Sequence, residues 1–338
     1  MKMKKIFSLL LAGLSLTLSR SPLLSVGDVN AAEETERIYN KTILQSADTE
    51  LNVLDYIDSS RIYSLTVMGC SETEVLNIPE QIKEVEIRDC LSLKEINVSE
   101  ENSELCSIDG VLYNKEADTL IAYPSGKEDK EFVIPDGVKC IAENAFEYCT
   151  VESVIMPDSL VTIENRAFYE SPGLRKVVMS PNIRGSCDNI FTGCNALKEI
   201  TFTDKDYEPN TFSSFLREED ERYLGMLWRN YSEQIILYVP DENFYSYYDL
   251  AKLLDNQNTV LVPMSIKPEG IDEPFDINAD GIISLADMVT LTNHLLGKKC
   301  ETVVGSDLNR DGVTDAFDLV VMRKLFDYNY YLMLGDYR

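Results

Sequence analysis

An internal repeat constrains this chain more tightly than any other feature. IYSLTVMGCSETEVLNIPEQ (62–81) is followed at once by IKEVEIRDCLSLKEINVSEE (82–101), a period of 20. Ile62, Leu65, Val67 and Cys70 map onto Ile82, Val85, Ile87 and Cys90, and Thr73, Leu76 and Ile78 map onto Leu93, Ile96 and Val98. A longer version fills 134–202. There Pro135, Pro157 and Pro181 recur, and NAF (144–146) returns as RAF (166–168) and NIF (189–191). The triplet Val151-Val154-Met156 returns as Leu174-Val177-Met179 and Leu197-Ile200-Phe202.

The i, i+2 pair in each triplet is one face of a short strand, and the residue three before it turns the chain inward. A single unit of this size cannot bury its own apolar face, so units stack and share a continuous core. Pro just behind each strand removes a donor and helps to end it. The Phe of each AF turn is expected to plug the core between coils. Cys70, Cys90, Cys149 and Cys194 fall at similar places in the repeat. They read as a ladder of small inward-facing groups, mostly free thiols, rather than as a disulfide framework. With no CxxC and a single His, no zinc cluster is expected.

The stretch IPDGVKCIAENAFEYCTVESVIMPDSLVTIENRAF (134–168) resembles the BspA-type leucine-rich repeats of bacterial surface and secreted proteins. SIDGVLYNKEADTLIAYPSGK (107–127) resembles the hairpin insertion of that family, and ILYVPDENFYSYYDLAKL (236–253) its last coil. The resemblance implies a mainly β solenoid over 60–262, with insertions at 99–131 and 203–234. It leaves the ligand open, because this repeat serves many kinds of binding. REEDERYLGMLWRNY, within the second insertion, reads as a polar-faced helix that carries the only Trp, Trp228. A lead-in (32–59) precedes the repeats.

A Pro- and Gly-rich linker, 263–271, separates the repeats from DINADGIISLAD (276–287) and, 31 residues on, DLNRDGVTDAFD (307–318). Loops of this composition suit Ca²⁺, a hard cation that takes oxygen ligands from a chain wrapped around it, with Gly at position 6 for the sharp turn. Asp276, Asn278, Asp280 and Asp287 would supply side chains and Ile282 a carbonyl, with Ser284 at the often water-bridged position 9. The second loop would use Asp307, Asn309, Asp311, Asp318 and the Val313 carbonyl, with Asp315 at position 9. Gly281 and Gly312 stand where the turn needs them. Each loop leads into an apolar-periodic run that reads as a helix. The Pro-rich linker leaves no room for a helix entering the first loop.

This duplicated loop-helix pattern, 272–338, resembles a type I-like dockerin of the cellulosome type. The missing entering helix and the Asp at position 12 carry the likeness. It implies a small all-α calcium-binding domain with two F-hand motifs and two Ca²⁺ ions, and a cohesin module on a scaffold protein as partner. The family's partner-reading positions fall on Leu285 and Ala286, then Ala316 and Phe317. Farther along the helices they fall on Thr292 and Asn293, then Arg323 and Lys324. The two sets are not equivalent, which argues against interchangeable two-fold binding. Leu285, Ala286 and Phe317 suggest an apolar contact.

The rest of the chain narrows the function. Lys2, Lys4 and Lys5 precede an apolar run, Ile6 to Leu18, with small residues at VNAA (29–32), so 1–31 reads as a signal peptide of a secreted protein. No later segment is apolar enough to span a membrane. A formal charge of -27 argues against nucleic acid or anionic lipid as partners. The only His, His294, lies in the expected dockerin, and no GxSxG, HExxH or phosphate-binding glycine loop occurs. No catalytic residue is assigned. The expectation is a non-catalytic subunit of an extracellular polysaccharide-degrading complex, held at the cell surface through a scaffold, whose repeats bind a protein or glycan. Two alternatives stay open: a carboxylate hydrolase with its site in 203–262, and a displayed adhesin.

Overall fold

The computed structural model describes residues 41–44, 46–55, 64–183, 190–203, 234–241, 244, 247, 259–267, 275–300, 302–309 and 311–333. The expected signal peptide (1–31) and the helix expected at 217–231, with Trp228, lie outside the described residues.

The repeats form a parallel β-solenoid. Its first part has two strands per coil: β1 (Lys41–Leu44), β2 (Glu50–Asn52), β3 (Ser64–Met68), β4 (Val75–Ile78), β5 (Glu84–Arg88) and β6 (Glu95–Val98). Odd strands build one three-stranded sheet and even strands another. Register follows the period of 20, with Leu65 opposite Val85, Val67 opposite Ile87 and Leu76 opposite Ile96. The stack begins before residue 60, since β1 and β2 pair in parallel with β3 and β4.

An antiparallel insertion follows: β7 (Leu105–Ile108), β8 (Val111–Asn114) and β9 (Thr119–Ala122). Its tip, Asp109-Gly110, has φ of 50° and 79°, the positive pair that a two-residue hairpin turn demands and that Asp-Gly supplies cheaply. Strand β9 then rejoins the parallel ladder beside β11 (Cys140–Ile141), which pairs with β13 (Thr162–Ile163). The opposite wall is a six-stranded sheet of β10 (Glu131–Val133), β12 (Ser153–Ile155), β14 (Lys176–Val178), β15 (Glu199–Thr201), β16 (Ile235–Val239) and β17 (Thr259–Pro263), in that order. Val154, Val177, Ile200, Leu237 and Leu261 stand opposite one another across it. The inward triplets read from the sequence are all buried.

Aromatic rings run up the interior as expected from the AF turns. Phe146 stacks on Phe168 at 4.6 Å and 14°, Tyr123 stacks on Phe146 at 5.0 Å, and Phe191 tilts against Phe168 at 5.4 Å. Cys70, Cys90, Cys149 and Cys194 are buried thiols, none of them in a disulfide. They are more than apolar filler. Cys194 Sγ–H donates to the Phe168 carbonyl at 2.9 Å, and in the coil below Ser171 Oγ–H donates to the Phe146 carbonyl at 2.5 Å. The Phe168 carbonyl so gains a donor, as buried backbone requires, and the Phe146 carbonyl gains a second one beside the Cys149 N–H at 3.3 Å. Burial pushes the Cys149 thiol up to about 11, so it stays neutral. Cys70 differs: the Cys90 side chain hydrogen-bonded to it is the largest influence, and its thiol is lowered to about 7.

Beyond the solenoid the chain forms two helices, α1 (Leu285–Leu295) and α2 (Ala316–Met333). They pack on the last two strands. Leu237, Val239 and Leu261 face the solenoid core, while Ile236, Tyr238, Val260 and Val262 face the other way. That second face shares a hydrophobic cluster with Phe275, Ile283, Leu291, Met322 and Leu325 of the C-terminal module. Strands β16 and β17 are therefore buried on both sides, and their unbroken apolar runs, IILYV and TVLVP, are what such strands need.

Candidate metal loops and docking face

The two acidic loops share a set of hydrogen bonds, position for position. At position 1, Asp276 Oδ2 accepts from the Gly281 N–H at 2.8 Å, and Asp307 Oδ2 from the Gly312 N–H at 2.9 Å. At position 5, Asp280 Oδ1 and Asp311 Oδ1 accept from the Ile282 and Val313 N–H groups, both at 2.9 Å. At position 12, Asp287 Oδ1 accepts from the Asn278 N–H and Asp318 Oδ1 from the Asn309 N–H, both at 3.1 Å. Their Oδ2 atoms accept from the Ser284 and Asp315 N–H groups, both at 2.7 Å. Gly281 and Gly312 have φ of 84° and 87°, and open space lies where a Cβ would project. Their requirement is thus conformational rather than steric.

No entering helix precedes either loop among the described residues. The position-9 residues serve as N-caps. Ser284 Oγ accepts from the Ala286 N–H at 3.1 Å and completes a capping box with Asp287, and Asp315 Oδ1 accepts from the Phe317 N–H at 2.7 Å.

The donor set is all oxygen, as a hard cation prefers. Asp287 and Asp318 are fully buried. Burial is the largest influence pushing the Asp287 carboxyl above its ordinary value; Asp276 and Asp280 push the same way, against the Ser284 and Asn278 N–H groups. Asp307 Oδ1 is buried and has no hydrogen-bond partner. A divalent cation would relieve both conditions, and each carboxylate oxygen already bonded to an N–H keeps a further lone pair for it. Among the described residues, no three acids, thiols or imidazoles close on one point tightly enough to hold a metal as they stand. The side chains instead turn on one another, with Asn278 Nδ2–H donating to Asp280 at 2.8 Å and Asn309 Nδ2–H to Asp311 at 3.0 Å. The residues fit a Ca²⁺ ion by chemistry and fold, and an ion would displace these internal bonds.

The helix faces divide as an amphipathic pattern must. Met288, Leu291 and Leu295 of α1, and Met322, Leu325 and Phe326 of α2, point inward. Of the expected partner-reading residues, Leu285, Ala286, Ala316, Phe317, Arg323 and Lys324 are exposed, Phe317 at 67%. Thr292 and Asn293 are half-buried; Thr292 Oγ1–H donates back to the Met288 carbonyl at 2.7 Å. The sequence reading missed Val289 (55% exposed), Leu296 (65%) and Val320 (50%), which extend the same stripes. Helical spacing already placed them there: 285, 289, 292, 293 and 296 share one face, as do 316, 317, 320, 323 and 324.

Residues 274–327 match the family model described as Dockerin type I domain, and residues 125–216 match BspA type Leucine rich repeat region in six copies. The chain thus carries BspA-type leucine-rich repeats and, C-terminal to them, a type I dockerin domain. Among solved structures, it is similar to a leucine-rich repeat protein from Eubacterium ventriosum (19% identity, TM-score 0.44, 67% of each chain covered). It is also similar to a leucine rich cell surface protein from Faecalibacterium prausnitzii (24% identity, TM-score 0.38, covering 60% of this chain and 54% of that one). No curated protein matches the chain. Dockerin domains as a family bind cohesins, and leucine-rich repeats are binding modules. No helix among the described residues is long and apolar enough to cross a membrane.

Proposed function

We propose that this protein is a secreted, non-catalytic subunit moored through its dockerin to a cohesin-bearing scaffold of an extracellular polysaccharide-degrading complex. Two Ca²⁺ ions would be held, one by Asp276, Asn278, Asp280, Asp287 and the Ile282 carbonyl, the other by Asp307, Asn309, Asp311, Asp318 and the Val313 carbonyl. The ions would supply folding free energy to a module too small to be stable on its core alone. The cohesin would sit on the outward stripes of α1 and α2, at Leu285, Ala286, Ala316 and Phe317, with Arg323 and Lys324 at its margin. The solenoid would carry the second interaction, with a protein or a glycan.

The observation that carries this reading is the pair of acidic loops with a shared set of hydrogen bonds, each opening a helix whose outer face exposes apolar residues. A capture experiment tests it. The immobilised chain is washed with the secreted and surface proteins of its source, with Ca²⁺ or with a chelator. Retention of a cohesin-bearing scaffold only with Ca²⁺ is the expected result. Retention indifferent to Ca²⁺ would sink the docking role, and turnover of a polysaccharide by the purified chain would sink the non-catalytic one.

A further inference from the structure

The dockerin and the solenoid exchange side-chain amides. Gln234, just before β16, treats the first calcium loop as a strand would: its Oε1 accepts from the Ile283 N–H at 2.6 Å and its Nε2–H donates to the Ile283 carbonyl at 3.2 Å. Asn329 of α2 does the reverse. Its Oδ1 accepts from the Leu261 N–H at 2.9 Å, and its Nδ2–H donates to the Leu261 carbonyl at 2.7 Å. The same Nδ2 also reaches the Leu325 carbonyl at 2.8 Å, which pins the amide to its own helix. Asn329 is 2% exposed. Leu261 lies on β17, the last strand of the six-stranded sheet, so Asn329 satisfies backbone groups on the edge where the solenoid's ladder stops. Lys267 adds a third tie across the last strands, bonding Thr201 Oγ1 at 2.8 Å with its ammonium 4.3 Å from the Tyr238 ring.

A solenoid needs a cap on its terminal coil, and an open parallel edge needs covering. Here the cover is a module whose own fold depends on its loops. Ile283 sits between the Ile282 carbonyl assigned to the ion and the Ser284 N-cap. Whatever holds that loop in shape also holds the Ile283 backbone against Gln234.

We infer that the dockerin is the solenoid's C-terminal cap, and that Ca²⁺ in the first loop and order in strands β16 and β17 are one coupled equilibrium. The coupling is reciprocal: the ion tightens the last coil, and the last coil tightens the ion. This rests on the calcium reading above, and the experiment keeps the two apart. Hydrogen exchange is followed by mass spectrometry on the full mature chain, with Ca²⁺ and after chelation. The peptide containing β17 is compared with that containing β4, far down the stack. Chelation is expected to speed exchange at least tenfold in both the 276–287 loop and β17, and to leave β4 unchanged. Loop deprotection with β17 unmoved overturns the coupling. A loop indifferent to chelation overturns the calcium reading instead. In that event Gln234→Ala and Asn329→Asp decide the cap on their own, since each is expected to deprotect β17 at least tenfold, and β17 unchanged in both would remove it. Calorimetry provides the reverse arm. Gln234→Ala is expected to weaken Ca²⁺ binding at the first loop at least threefold and spare the second, and no change at the first loop overturns the reciprocal claim.

Discussion

Replacing Phe168 by Ala tests whether stacked rings hold the coils together. Phe168 is fully buried, with Phe146 at 4.6 Å on one side and Phe191 at 5.4 Å on the other. Its backbone N–H bonds the Ile190 carbonyl at 2.9 Å, so the ladder itself survives the change. Truncation removes the apolar burial and leaves a cavity, which together cost about 3–5 kcal/mol for a buried Phe. Phe168→Leu keeps most of the volume but forfeits both ring contacts, each worth about 0.5–1.5 kcal/mol, for an expected loss of about 1–3 kcal/mol. Val133→Ala, on a residue 57% exposed, is the control and should stay within about 0.5 kcal/mol. Urea unfolding followed by far-ultraviolet circular dichroism measures all three. The Phe146→Ala, Phe168→Ala cycle should return a coupling of at least about 0.5 kcal/mol, as expected of residues in contact. Because coils touch only their neighbours, a weakened middle interface should also broaden the transition as the two ends begin to unfold separately. If Phe168→Ala costs less than about 1.5 kcal/mol, or no more than the control, the rings are not what joins the coils.

Cys194→Ser should cost under about 1 kcal/mol, because Ser171 already makes the equivalent bond one coil below, whereas Cys194→Ala should cost about 1–3 kcal/mol by orphaning the Phe168 carbonyl; thermal unfolding compares them. Gly281→Ala meets no steric obstacle, so any loss reports backbone strain alone: about 1–2 kcal/mol, read by calorimetry as a several-fold weaker Ca²⁺ site. Phe317→Asp should reduce cohesin capture at least tenfold (about 1.4 kcal/mol) while changing thermal stability by less than about 0.5 kcal/mol, since the ring is 67% exposed. Alkylation in denaturant without reductant should label Cys70, Cys90, Cys106, Cys140, Cys149, Cys194 and Cys300, none of which is in a disulfide.

The solenoid was legible because its repeat is an alternation of buried positions at constant spacing, and register must follow that spacing wherever one face is buried. Leu65, Leu76, Val154 and Ile200 could be assigned to the core from it directly. The turns of the acidic loops were legible for a different reason: position 6 needs a positive φ, and Gly stands there twice. Contacts without a period were not legible. Asn77 Nδ2–H donates to Asn52 Oδ1 at 2.7 Å and Asn97 Nδ2–H to Asn77 Oδ1 at 3.1 Å, an amide ladder over three coils. Asn77 and Asn97 lie 20 apart, but Asn52 precedes the segment where the period shows itself. Gln234 and Asn329 were missed too, since each is one amide whose partner lies 49 or 68 residues away. The outward stripe of α1 was half seen, because in a run of apolar residues composition alone does not say which ones turn away from the core.

The seam between solenoid and dockerin also sets how far the protein can reach. A flexible linker the length of 263–271 would by itself let the two modules wander over about 15–18 Å. The paired amides and the shared apolar cluster take that freedom away. A tethered module searches its surroundings at an effective concentration set by the tether. A fused one presents a single surface at a single angle. Whatever α1 and α2 hold, the repeat face beside them is aimed by that grip, and its targets must lie where it points.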